Sequence, residues 1–275
     1  MDQTLVFIKQ LYQRIVEADV FGLAAQLAYF FLLSLFPFLI FLVTLLGYLP
    51  IDPISFMDFI ETYAPEEITE MINSNLTHLV GNQNGGLLSI GIIGTLWSAS
   101  NGVNAITRAF NKAYEVDEDR SFIVARLIAV VLTLAMIIVI VIALVLPVFG
   151  RMIGVYIFSL FSLSESFLQF WDTMRLVIST IAFFIVLLAL YKLAPNARIK
   201  LKNAVWGAIF ATFAWQLVSL AFSFYVNTLG NYSATYGSLG AVIVLMIWFY
   251  ISGIIIIAGG VLNATIRKYK MNKNK

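Results

Sequence analysis

The alternation of apolar and polar positions along this chain resolves into six long apolar runs: roughly Leu27–Leu49, Gly86–Thr107, Leu127–Phe149, Leu176–Leu193, Ala204–Asn227 and Leu239–Thr265. Each is close to the ~20 residues that a helix needs to cross ~30 Å of hydrocarbon. The stretch Ile137–Leu146 is apolar on every face, as a helix surrounded by lipid is. A barrel strand would instead alternate apolar and polar residues over ~10 positions. The pattern predicts an all-α, polytopic membrane protein with six transmembrane helices and short interfacial or extracellular helices between them.

The segments between the runs carry patterns of their own. Leu5, Ile8, Tyr12 and Ile15 recur at helical spacing, with Lys9, Gln13 and Glu17 on other faces. This predicts an amphipathic helix over residues 1–20 that lies on the cytoplasmic surface, docks on the bundle and ends before Gly22. It does not read as a cleavable signal, because the apolar run that follows is too long and lacks a small-x-small cleavage site. The outer segment 50–85 holds Asp52, Asp58, Glu61, Glu66, Glu67 and Glu70 and no Lys or Arg. Pro65-Glu66-Glu67 has the form of a helix start, so two short helices broken near Ala64 are expected. The acids lie on different helical faces and read as a solvated surface. The second outer segment, 150–173, carries interfacial aromatics such as Tyr156, Phe161 and Trp171. Residues 230–240 read as a tight interfacial or re-entrant turn, and Pro37 is expected to kink the first span. The whole chain, 1–275, reads as one membrane domain with a basic tail over 266–275.

Charge fixes the expected orientation. Threading the six runs from a cytoplasmic N-terminus places 15 of the 17 Lys and Arg residues on the inner side, leaving only Arg151 and Arg175 outside. Basic residues near span ends resist translocation, so a multi-pass protein of the cell membrane with both termini in the cytoplasm is expected. Composition agrees: 61% of residues are hydrophobic and 12% charged, against roughly 25% charged in a soluble domain. The absence of Cys removes disulfides, thiolate chemistry and Cys-ligated metals.

Function inside a membrane is carried by polar residues that lipid would otherwise reject. No Asp, Glu, Lys, Arg or His stands near the middle of a predicted span. Uncharged polar residues instead form two lines. Asn101, Asn104, Arg108 and Asn111 are spaced 3, 4 and 3, and Thr212, Gln216, Ser219, Ser223 and Asn227 are spaced 4, 3, 4 and 4. Each set occupies one helical stripe. Such stripes serve either as interhelical glue, at about 0.6 kcal/mol per hydrogen bond, or as the walls of a polar groove opening to the cytoplasm. In the second case Asn101, Asn104, Arg108, Asn111, Gln216, Ser219, Ser223 and Asn227 line it, with Arg108 at its mouth.

Several stretches carry a resemblance: Tyr29–Pro37, Leu96-Trp97-Ser98-Ala99-Ser100, Arg120-Ser121-Phe122, Leu193-Ala194-Pro195-Asn196, Tyr232–Ala241 and Leu262-Asn263-Ala264. In this order and spacing, from about Ala24 to Asn263, the chain resembles the YihY/BrkB family of bacterial inner-membrane proteins, once labelled ribonuclease BN. The resemblance implies a six-helix cytoplasmic-membrane protein, with a virulence or serum-resistance association in one branch and no agreed catalytic residues.

The residues argue against the ribonuclease label. RNA cleavage needs a positioned acid–base pair or a carboxylate-held metal. The one histidine, His78, falls in an outer segment, and Glu115, Asp117, Glu118 and Asp119 form a solvated turn. No enzyme activity, catalytic residue, cofactor, metal or nucleic-acid partner is therefore expected. The expected function is transport or flipping of an amphipathic, lipid-type substrate. Its alternative is a non-transporting membrane scaffold or envelope-assembly factor. Membrane lipids are the expected partners, and the oligomeric state is left open. The topology is directly testable. Cysteines introduced at Asn73 and Thr235 should react with an impermeant thiol reagent added outside intact cells, and those at Asp117 and Asn274 should not; outside labelling of Asp117 would overturn the charge assignment.

Overall fold

The computed structural model describes residues 3–46, 85–138, 165–228 and 239–273. Most of the predicted outer segments, the later part of the third predicted span, residues 230–238 of the predicted 230–240 turn and His78 lie outside the described residues, and Leu239 and Gly240 open the last described helix. Seven helices are described: α1 (Gln3–Glu17), α2 (Val20–Leu46), α3 (Gly85–Tyr114), α4 (Phe122–Ile138), α5 (Glu165–Leu193), α6 (Leu201–Thr228) and α7 (Leu239–Lys273). No strand occurs among the described residues. Five of the helices, α2, α3, α5, α6 and α7, are long and apolar enough to cross a membrane. The described α4 is the start of the predicted third span. Phe36, Ile93, Phe213, Leu217, Leu220 and Phe224 turn more than half their surface outward. In water such a girdle would be an association surface; around a bundle of spanning helices it faces lipid. The chain is an all-α, multi-pass membrane protein.

Lipid gives helices no hydrophobic reason to associate, so close van der Waals contact and polar bonds must hold them together. Small residues permit that approach. Helix α2 lies along α3, where a Cβ added at Gly91 would stand 2.8 Å from the Phe41 backbone nitrogen. Helix α7 is the hub, packing on α1, α2, α3 and α6, while α5 packs on α6. At the α6–α7 crossing a Cβ on Gly207 would fall 2.1 Å from the Gly259 carbonyl oxygen. The fully buried Asn263 ties the same crossing. Its Oδ1 accepts the Gly207 N–H at 2.7 Å and its Nδ2 donates to the Ala204 carbonyl at 3.0 Å. Buried Tyr191 of α5 donates its hydroxyl to the Ile256 carbonyl at 2.8 Å, bringing a third helix to the same place.

Several boundaries differ from the sequence expectation. Helix α2 begins at Val20 rather than near Leu27, and Gly22 lies inside it. The reversal sits at Asp19, whose φ of 53° turns the chain within two residues of α1. Its carbonyl then accepts the Leu23 N–H at 2.9 Å to open α2. Pro37 lies inside α2. The basic tail is also helical, since α7 continues to Lys273. Helix α1 supports that extension, with Phe7 edge-on to Tyr269 at 5.9 Å. In α1, Leu11 and Ile15 pack toward the core, whereas Leu5, Ile8, Tyr12 and Val16 form an exposed apolar stripe.

The crossing yields a comparison. Alanine is the better helix former than glycine by about 1 kcal/mol, yet Gly207→Ala must push two backbones apart. A net loss on the order of 3 kcal/mol is expected, seen as a clear drop in melting temperature in neutral detergent. Gly253→Ala should lose much less, because its new methyl meets the Leu27 side chain at 3.1 Å and Ala24 at 3.3 Å, not a carbonyl.

Candidate functional site

The end of α3 shapes the most polar region described. Glu115 stands in the left-handed conformation at φ 56°. Its N–H donates to the Lys112 carbonyl at 3.1 Å, and the Val116 N–H donates to the Asn111 carbonyl at 3.0 Å. This pair of bonds is the helix-ending motif usually built on glycine. A side chain there costs roughly 1–2 kcal/mol, which two ion pairs help to offset: the Glu115 carboxylate accepts from Arg14 of α1 at 2.7 Å and from Lys268 of α7 at 2.5 Å. The hydrogen bond from Lys268, with Arg14 beside it, holds the Glu115 carboxyl below the usual carboxylate range. Ser121 then opens α4, its carbonyl accepting the Ala125 N–H at 3.0 Å. The chain has turned back, and α4 brings Arg126 alongside α3.

The turn is clamped to the α5–α6 loop. Buried Asn111 donates through Nδ2 to Glu118 at 2.8 Å and accepts the Asn196 N–H at 2.7 Å. Asn196 returns a bond from its own Nδ2 to the Asp117 carbonyl at 2.7 Å. Arg120 grips both oxygens of Glu118 at 2.6 Å each and also donates to the Ala194 carbonyl at 2.8 Å. The Arg120 bond is the main reason that the Glu118 carboxyl is also held low, with Asn111 adding to it.

Beside this clamp lies a cavity of about 200 Å³ between α3 and α4. Its polar wall is Asn104, Thr107, Arg108, Arg126 and the Arg120–Glu118 pair; Phe122, Ala125 and Ile128 form the apolar wall. Arg126 donates to Asn101 Oδ1 at 2.7 Å and to the Trp97 carbonyl at 3.1 Å, and its Cζ lies 4.0 Å from the centre of the Trp97 ring. Arg108 donates to Gln26 Oε1 of α2 at 2.7 Å. A second, wider cavity of about 580 Å³ shares the Arg120 wall and adds Lys192, Asn196 and Arg198. With three guanidiniums against one carboxylate, the smaller cavity is suited to holding an oxyanion. Among the described residues no group of three or more His, Asp or Glu side chains is placed to hold a metal.

The structure treats the two predicted stripes differently. Asn104 and Arg108 line the α3–α4 cavity, Asn101 meets Arg126 at its edge, and Asn111 turns to the clamp. On α6, Gln216 donates to Thr180 of α5 at 2.8 Å, Ser219 is half-buried and Ser223 is exposed. The side chain of Asn227 lies outside the described residues. Helix α3 packs on α2 and α7 and helix α6 on α5 and α7, so the two stripes belong to different helix pairs. Sequence reasoning missed Trp97, Glu118, Arg120 and Arg126 as members of the site. Trp97 stands four residues before Asn101, on the same stripe, and could have been found there. Arg126 read only as a topological anchor.

The clamp carries a pH signature. Glu115 and Glu118 have folded pKa values below their unfolded ones, so their contribution to stability is in place above about pH 4.3, the ordinary Glu value. It is lost as pH falls through the lower folded values. Melting temperature should therefore drop on acidification below that point, and less steeply in Glu118→Gln, when followed by tryptophan fluorescence in detergent.

Residues 11–275 match the model of the family described as Virulence factor BrkB. The chain is 51% identical over 264 residues, 96% of each protein, to the ribonuclease-like protein YfkH of Bacillus subtilis (strain 168). It is 26% identical over 280 residues to a UPF0761 membrane protein of Alteromonas mediterranea, covering 98% of this chain and 88% of that one. A UPF0761 membrane protein of Photobacterium profundum is 27% identical over 282 residues, covering 98% and 83%. No solved structure matches the chain. The membrane-spanning helices and the match along nearly their whole length agree: this chain belongs to the BrkB virulence-factor family of membrane proteins.

Proposed function

We propose that this protein moves or flips an amphipathic, lipid-type substrate, and that the α3–α4 cavity handles the polar part of that substrate. The carrying observation is the cavity itself. A cationic, amide-bearing wall faces an apolar one beside lipid-facing helices, which is the combination an amphipathic molecule needs. In this reading the basic end of the bundle faces the cytoplasm of the cell and both termini lie there. The support is that α1, the 115–121 turn, the α5–α6 loop and the end of α7 are joined at one end of the bundle by Arg14, Asn111, Arg120 and Lys268, and these segments carry most of the basic residues.

Catalysis is not part of the proposal. Glu118, the carboxylate on the cavity wall, is held ionised by Arg120 and Asn111, which unsuits it to proton transfer near neutral pH. The ribonuclease-like name of the Bacillus relative has no counterpart in this reading. A specific observation favours the alternative, a non-transporting scaffold: Asn101, Asn111 and Gln216 are hydrogen-bonded inside the protein to Arg126, Glu118 and Thr180, as interhelical glue would be.

Reconstitution separates the two. Protein in liposomes carrying a trace of head-group-labelled fluorescent phospholipid should let an impermeant quencher reach more than the outer-leaflet share of label. Arg108→Gln should slow that movement about tenfold, the loss expected for one charge-assisted contact, with folded yield unchanged because Arg108 is exposed. Movement no faster than in protein-free liposomes would leave the scaffold reading in place.

A further inference from the structure

The three arginines on the cavity wall are not equivalent. Arg120 is consumed, with two nitrogens on Glu118 and a third bond to a backbone carbonyl. That pair is electrically closed and positions the turn. Arg108 and Arg126 meet no carboxylate among the described residues. Their partners are neutral oxygens: Gln26 Oε1 for Arg108, and Asn101 Oδ1 and the Trp97 carbonyl for Arg126. Two guanidinium charges on two helices thus face one cavity without compensation.

We propose that Arg108 and Arg126 form a binding site for a phosphate-type oxyanion, gripped from two helices, with Asn104 on the same cavity wall. This deepens the transport reading and rests on it for the identity of the cavity as a substrate site. A phosphate oxygen replaces a neutral acceptor by an ionised one, and charge-assisted bonds are roughly twice as strong. Arg126 lies over the Trp97 ring, 4.0 Å from ring centre to Cζ, a cation–π contact that holds the guanidinium at the cavity wall and uses none of its N–H donors. Grip from two helices suits a tetrahedral anion, whose oxygens point several ways; a carboxylate's two oxygens are satisfied by one arginine fork. The cavity holds about 200 Å³, the space of about seven waters, enough for a phosphate ester and not for an acyl chain. Phe122 on its wall and Trp97 beneath Arg126 are both more than half exposed, giving an apolar rim along which a chain attached to the phosphate lies.

The source of the phosphate is a lipid head group or a free anion, and one experiment distinguishes them. The full chain, purified in a neutral detergent, is titrated with phosphatidylglycerol and with diacylglycerol of the same acyl chains, and bound lipid is counted by native mass spectrometry. Phosphatidylglycerol should bind at least about tenfold more tightly than diacylglycerol. Arg108→Gln and Arg126→Gln should each erase most of that preference, while Arg198→Gln in the neighbouring cavity should keep it. A melting temperature taken for each variant checks that it is folded. If Arg126→Gln is unfolded, exposed Arg108→Gln alone decides. Competition by millimolar inorganic phosphate supports the site with a free anion as ligand, and lack of competition supports it with a lipid head group. Equal binding of the two lipids, or a preference unchanged in Arg108→Gln, overturns the proposal. Phosphate-selective binding without lipid movement in liposomes would overturn the transport reading alone, and lipid movement without phosphate selectivity would overturn this proposal alone.

Discussion

Close approach of backbones at the α6–α7 crossing is the constraint on which the bundle depends. In lipid the space between helices is not closed by expulsion of water, so contact must come from shape and from paired polar groups. Gly207 and Gly259 let two backbones meet where no side chain would fit. Asn263 bonds Ala204 and Gly207 in the gap, and Tyr191 bonds Ile256 from the α5 side. The contact spreads further, because a Cβ on Gly260 would run into the Phe110 ring at 2.1 Å. Phe110 belongs to α3, so the seating of α3 against α7 depends on the same run of small residues.

The seating of α3 in turn fixes where its last turn ends. Glu115 reverses the chain in a conformation that most residues avoid, and Arg14 and Lys268 reach it from α1 and α7. Three elements distant in sequence thus converge on one carboxylate. Asn111, Glu118 and Arg120 then hold the reversed segment against the α5–α6 loop. The start of α4 inherits its position from this clamp, which is how Arg126 comes to lie over Trp97. The cavity is a consequence of where α3 stops, and its charge is a consequence of which arginines the clamp consumes.

The helices themselves were legible in the linear pattern. Apolar runs of spanning length, basic residues concentrated between them and the helical spacing of Asn101, Asn104, Arg108 and Asn111 are local properties, governed by hydrocarbon thickness and helix pitch. They were enough to establish a helical membrane protein and to single out the polar face of α3 that the cavity uses. Boundaries were less legible. The left-handed Asp19 starts α2 early, and contact with α1 extends α7 through its basic tail, neither of which shows in hydropathy.

Which polar residues meet was outside the reach of periodicity. A stripe states which face a residue occupies and says nothing of the helix opposite, so Gln216 could be paired with Asn104 on paper, although it bonds Thr180 of α5 in the fold. Nor does spacing distinguish an arginine that anchors topology from one that is neutralised or one left facing a cavity. That distinction depends on partners far along the chain: Glu118 and Ala194 for Arg120, Asn101 and Trp97 for Arg126, Gln26 for Arg108. Local sequence sets how each helix is made and which face is polar. Charge compensation is a property of three-dimensional neighbours, and only packing assigns it.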